Sequence, residues 1–203
     1  MSTQETQTKR HGFWKRLFFS ETLLCRSHGG KIAFIAAFTA FSVVANLFFE
    51  FKLMDTQYSL TIAVSALIGA ILGPAFGFVA CFLGDLLGFL VNSGGFLYMP
   101  FIGISMGLTA FFAGLLVGLR LPFKGAIYVK LAVLCLFNFA VCTVAINTTA
   151  FWVMYAKNVP YFTYLFTRLI VKGQIFSSLV NFALIFLFIP MLGKIKPLKI
   201  KIK

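Results

Sequence analysis

Asp85, Arg168 and Lys172 are ionisable residues that stand in or at the edge of long apolar runs of this 203-residue sequence. Charge in such surroundings is costly, and it persists where it is paired or binds something. Arg168 and Lys172 are four apart, which puts both on one face if the segment is helical. Asp85 can neutralise one of these cations, and a surplus positive charge in a cleft favours an anion. A carboxylate fits best, because the planar arginine fork matches its two oxygens. The competing reading is an Asp85 to Lys172 ion pair that serves only structure. Asn147 and Thr148 add hydrogen-bonding groups nearby in sequence. Trp152, Tyr155, Tyr161, Phe162 and Tyr164 follow, either as an interfacial aromatic belt or as surfaces for a flat ring. Residues 92–100 read N-S-G-G-F-L-Y-M-P. A glycine pair, then Tyr98, then a proline stop is the pattern of a loop that closes over a ligand.

Other chemistries lack their residues. No G-x-x-x-x-G-K-[ST] is present, so the chain has no P-loop with which to hydrolyse ATP. H-E-x-x-H is absent. Residues 103–107, G-I-S-M-G, match the letters of a nucleophile elbow but lie inside an apolar stretch rather than at a strand-to-helix turn. His11 and His28 both stand near the N-terminus, leaving Ser105 without a histidine base. Cys25, Cys81, Cys135 and Cys142 have no C-x-x-C spacing, so neither a metal site nor a disulfide framework is expected. No catalytic residue and no cofactor is assigned.

The elements that position these groups are membrane helices. Sixty per cent of the residues are hydrophobic and only 11% charged, with 27 phenylalanines, a composition that cannot clothe a soluble surface. Counted against a hydrocarbon core of roughly 30 Å, or about 20 helical residues, the apolar stretches give a first span at 31–51. The block 59–91 is too long for one crossing and divides at Gly73-Pro74, where proline starts a new helix. Further spans fit 101–119, 125–149 and 169–192. The expected fold class is therefore an all-α integral membrane protein, a six-transmembrane-helix bundle. Residues 1–30 form a basic N-terminal tail, 31–192 the transmembrane domain, and 193–203 a lysine-rich C-terminal tail.

Six spans put both termini on one side of the membrane. With both cytosolic, that side carries fourteen of the 18 lysines and arginines, against Lys52, Lys157, Arg168 and Lys172 outside. The net charge of +13 is thus read as topology, not as a nucleic-acid surface. In this orientation Asp85, Arg168 and Lys172 all lie in the outer half of the bundle.

Glycines recur four apart at 69, 73 and 77, at 84 and 88, at 103 and 107, and at 114 and 118, which lets membrane helices approach closely. The first span repeats the device with alanine: Ala33 and Ala37 form one stripe, Ala36 and Ala40 an adjacent one. That smooth face serves internal packing or receives a partner helix.

Several segments together resemble the S components, the substrate-capturing subunits of energy-coupling factor (ECF) vitamin transporters. They are A-F-I-A-A-F-T-A-F-S-V-V-A-N at 33–46, L-G-P-A-F-G at 72–77, G-D-L-L-G-F-L from 84 and G-G-F-L-Y-M-P-F to 101. G-I-S-M-G-L-T-A, N-T-T-A-F-W and R-L-I-V-K follow in order. The D-L-L-G, G-x-x-Y-x-P, N-T and R-x-x-x-K elements are most similar to the folate-type branch. The resemblance implies a non-enzymatic subunit of a bacterial cell membrane that binds a small anionic vitamin, such as folate or pantothenate, at its outer side. The substrate-binding residues it implies are Asp85, Tyr98, Asn147, Trp152, Tyr161, Arg168 and Lys172. It implies docking through Ala33, Ala36, Ala37 and Ala40 to a transmembrane T subunit, with two cytosolic ATPase subunits supplying energy. The alternatives are an intramembrane enzyme that holds a lipid phosphate, and a purely structural subunit.

Overall fold

The computed structural model describes residues 18–53, 56–92, 97–119 and 125–193. The basic residues before position 18, Arg120 and Lys124, the Gly94-Gly95 pair and the lysine-rich tail from 194 lie outside the described residues. A short helix α1 (Glu21–Leu24) precedes the long α2 (His28–Phe48). Ser27 caps α2, its hydroxyl oxygen accepting from the Gly30 N–H at 3.3 Å. Strands β1 (Glu50–Leu53) and β2 (Thr56–Ser59) pair antiparallel with Glu50 opposite Ser59. This hairpin departs from the all-helical expectation, because the alternating segment between two spans satisfies its backbone by cross-strand pairing instead. Helices α3 (Thr61–Leu72), α4 (Pro74–Val91) and α5 (Pro100–Gly118) follow. Then come α6 (Ala126–Tyr155), α7 (Tyr161–Val171) and α8 (Gln174–Leu192).

Five of these helices, α2, α4, α5, α6 and α8, are long and apolar enough to cross a membrane. The 59–91 block does break at Gly73, where φ is +85° and Pro74 opens the next helix, but it breaks unequally. At 12 residues, α3 is about 18 Å long, short of a hydrocarbon core. Helix α6 runs past the expected 149 to Tyr155, and Asn138–Thr148 within it is wound as a π-helix. The last long helix begins only at Gln174, because Gly173, at φ +63°, interrupts the chain after α7.

The glycine faces explain how α3, α4 and α5 pack. A Cβ on Gly69 would stand 1.9 Å from the Ala110 carbonyl oxygen, and one on Gly114 would stand 2.6 Å from the Pro74 nitrogen. Backbone meets backbone there, which leaves no rotamer to relieve an added atom. Gly84 likewise admits the Ser42 side chain of α2. We therefore expect Gly69→Val to lower stability by on the order of 3 kcal/mol through overpacking. A thermal melt of the detergent-purified protein checks it.

At the Gly73 end of the bundle the described residues just before α2 pack on the helices. Leu23 is 1% exposed within the core formed with Val64, Ile68 and Leu72, and Phe19 lies 5.3 Å from Phe76. At the hairpin end, Asn181 of α8 ties α3 in place. Its Oδ1 accepts from the Ala63 N–H at 3.0 Å, and its Nδ2 donates to the Ser59 carbonyl at 2.6 Å. One buried amide thus satisfies an orphan donor at the start of a helix and an acceptor at the end of a strand.

Candidate functional site

The polar groups singled out in the sequence gather at the hairpin end, on the last turns of α4 and α6, the first turns of α5, and α7. They form two clusters.

Asp85 and Tyr98 make the first. The Tyr98 hydroxyl donates to Asp85 Oδ2 at 3.2 Å, and the Tyr98 ring packs on Phe89 with centroids 5.1 Å apart. Gly103 makes room for both, since a Cβ there would lie 2.9 Å from Asp85 Oδ2 and 2.9 Å from the Tyr98 hydroxyl. Thus the loop tyrosine is latched to the intramembrane carboxylate across the start of α5. Burial, together with the Asp85 carboxylate beside it, pushes the Tyr98 phenol up to about 12. Tyr98 remains a donor through the physiological range. Comparing the phenolate absorbance of the wild type with Tyr98→Phe tests this: the two titrations should separate only near pH 12. A separation near pH 10, the ordinary tyrosine value, would mean that the latch is absent in solution.

Arg168 organises the second cluster. Its guanidinium carbon lies 4.1 Å from the centroid of the Phe151 ring, a cation–π arrangement, with the Tyr164 hydroxyl beside it. Arg168 Nε is buried without a hydrogen-bond partner, and so is Asn147 Oδ1. Both atoms belong to π-helical turns, Asn147 to Asn138–Thr148 and Arg168 to Thr167–Val171. Such wide turns recur at functional sites because they re-aim side chains. Along the π-helical stretch of α6 the buried positions are 138, 142, 143 and 148, a spacing near five that keeps Asn138 and the Asn147–Thr148 pair on related faces.

Helix α7 ends at Val171, and Lys172 is exposed in the turn where its N–H closes on the Thr167 carbonyl at 2.9 Å. Trp152 and Tyr161 shape the chain beside the site. The indole N–H donates to the Val159 carbonyl at 2.8 Å, the two rings meet edge to face at 5.5 Å, and the Tyr161 hydroxyl lies 3.3 Å from Thr149 Oγ1. These contacts close the turn between α6 and α7.

Sequence reasoning missed Phe151 and the pairing of Thr109 with Asn138. Phe151 was detectable as the residue one helical turn beyond Asn147. Thr109 donates to the Ser105 carbonyl at 2.9 Å and so accepts from Asn138 Nδ2 at 2.6 Å. Ser105 is buried inside α5, where nothing resembles a nucleophile elbow. Among the described residues no cluster of three or more histidines, cysteines or acids is placed to hold a metal ion.

The arrangement sets a guanidinium with an unpaired, buried Nε among aromatic rings at one end of a helical bundle, and comparison with known proteins identifies the family. The family model for the S component of ECF-type riboflavin transporters matches residues 29–196. The chain belongs to this family of ECF transporter S components. It is thus a substrate-binding subunit for vitamin uptake, a multi-pass membrane protein and not an enzyme. FolT bound with folic acid superposes on this S component with a TM-score of 0.60 at 20% identity, covering 76% of this chain and 89% of that one. The S component for biotin from an ECF-type ABC transporter gives 0.58 at 17% identity, covering 88% and 100% respectively. At these identities the likeness is one of fold. No curated protein matches the chain in sequence.

Proposed function

We propose that this S component captures an anionic, ring-bearing vitamin of the folate type at the outer face of a bacterial cell membrane. It then delivers the vitamin through a T subunit driven by two cytosolic ATPases. The observation that carries the anionic substrate is Arg168: a guanidinium stacked on Phe151 whose buried Nε has no hydrogen-bond partner. A ligand carboxylate would satisfy it, with Asn147 Oδ1 accepting from a donor on the same molecule. Asp85 holds Tyr98 at the start of α5, Trp152 and Tyr161 hold the α6–α7 turn, and exposed Lys172 adds positive charge at the same end of the bundle. Successive helices alternate in direction between the hairpin end and the Gly73 end, which supports six passes with α3 as a short one. The excess of lysine and arginine supports both termini in the cytosol.

Ala33, Ala36, Ala37 and Ala40 form the docking face. All four are exposed on α2, whose buried residues are only Ser42 and Ala45. Small residues on an otherwise unpaired helix face permit close approach of a second helix in lipid.

Riboflavin is the second reading, favoured by the family model, yet it carries no carboxylate for Arg168. Calorimetric titration of the purified protein with folic acid, biotin and riboflavin separates the two. We expect folic acid to bind most tightly, and a clear preference for neutral riboflavin would reverse the assignment.

A further inference from the structure

Helix α7 has its amphipathic pattern inside out. Tyr161, Tyr164 and Arg168 are partly buried toward the bundle, whereas Phe162, Phe166 and Ile170 are 80%, 61% and 55% exposed at fourfold spacing on the opposite side. A helix covering a pocket in water would carry the reverse pattern, since a contiguous apolar stripe in water is unfavourable. Eleven residues are also too few to cross a bilayer. The helix packs on the end of α6 and the start of α8, and none of its residues is fully buried. Its exposed stripe continues into Met154 and Tyr155 of α6 and Ile175, Phe176 and Leu179 of α8, the exposed apolar surface of the two spanning helices that flank it. Pro160 and Gly173 bound it at either end.

We infer that α7 is an interfacial helix seated in the outer leaflet, so that lipid rather than protein backs the segment carrying Arg168. The polar face is turned inward because the site is there, and the apolar face outward because acyl chains are there. The bilayer would then hold α7 against the bundle and keep the guanidinium over Phe151. This rests on the membrane reading of the chain and not on the identity of the vitamin.

Spin labels on single cysteines at 162, 166 and 170, introduced one at a time into full-length protein lacking its native cysteines and reconstituted in phosphatidylcholine vesicles, test it. Relaxation by oxygen, which concentrates in lipid, is compared with relaxation by a water-soluble nickel chelate. Labels at exposed Lys157 and at lipid-facing Leu136 serve as the aqueous and bilayer references. The expected result is an oxygen-to-nickel ratio at all three positions several-fold above that at 157 and approaching that at 136. Ratios equal to that at 157 would make α7 a water-exposed cover and overturn the inference. Low accessibility to both reagents would also overturn it, by placing the stripe against a second protein copy. Neither readout requires vitamin, so failure of the vitamin assignment leaves the test intact.

Discussion

Arg168→Gln lowers affinity for folic acid by some 30-fold to several thousand-fold, the equivalent of about 2 to 5 kcal/mol for truncating one partner of a desolvated charge pair. The guanidinium sits on Phe151 beside the Tyr164 hydroxyl with its Nε unpaired, which leaves that N–H for a ligand oxygen. Arg168→Lys recovers part of the loss, since the charge returns without the planar fork. Asp85→Asn has a smaller effect on binding, because the contact it weakens is the Tyr98 latch, and removing an anion near the ligand's own charge offsets some of the cost. Measuring affinity and thermal stability together on the three variants is decisive. If Arg168 were a structural ion-pair partner, its loss would lower the melting temperature and leave the affinity of the surviving folded protein unchanged.

Ala40→Trp abolishes vitamin uptake in the assembled transporter, yet the isolated subunit keeps its vitamin affinity and stability. Position 40 is exposed, and the buried residues of α2 lie further along at 42 and 45, so a large side chain meets none of the subunit's own core. An indole on that face holds a partner helix several ångströms away, and close packing is a main source of helix association in lipid. Ala36→Trp behaves alike. Equal loss of binding and transport would place the alanine face in the internal structure instead.

Much of this architecture is legible in the sequence because its determinants are local. Gly73-Pro74 breaks the long apolar block by backbone chemistry alone, and glycines four apart mark where α3, α4 and α5 meet. The hairpin at 50–59 was not legible, since two four-residue strands carry too short an alternation to distinguish from a polar loop. Nor were the π-helical turns, which have no residue signature and are defined by hydrogen-bond register and neighbouring helices. The late start of the last long helix, at 174 instead of 169, has a reason the sequence did contain: Gly173 is a helix stop. Phe151 escaped notice because an aromatic residue in a membrane span has many uses. Only the guanidinium resting on it singles it out.

Mass spectrometry of small molecules released from the freshly purified, detergent-solubilised subunit addresses what the protein captures most directly. A carboxylate-bearing vitamin, near one molecule per chain for the native protein and strongly reduced for Arg168→Gln, is the predicted result. Recovery of a neutral vitamin, or of a lipid, at equal occupancy in both proteins would contradict it.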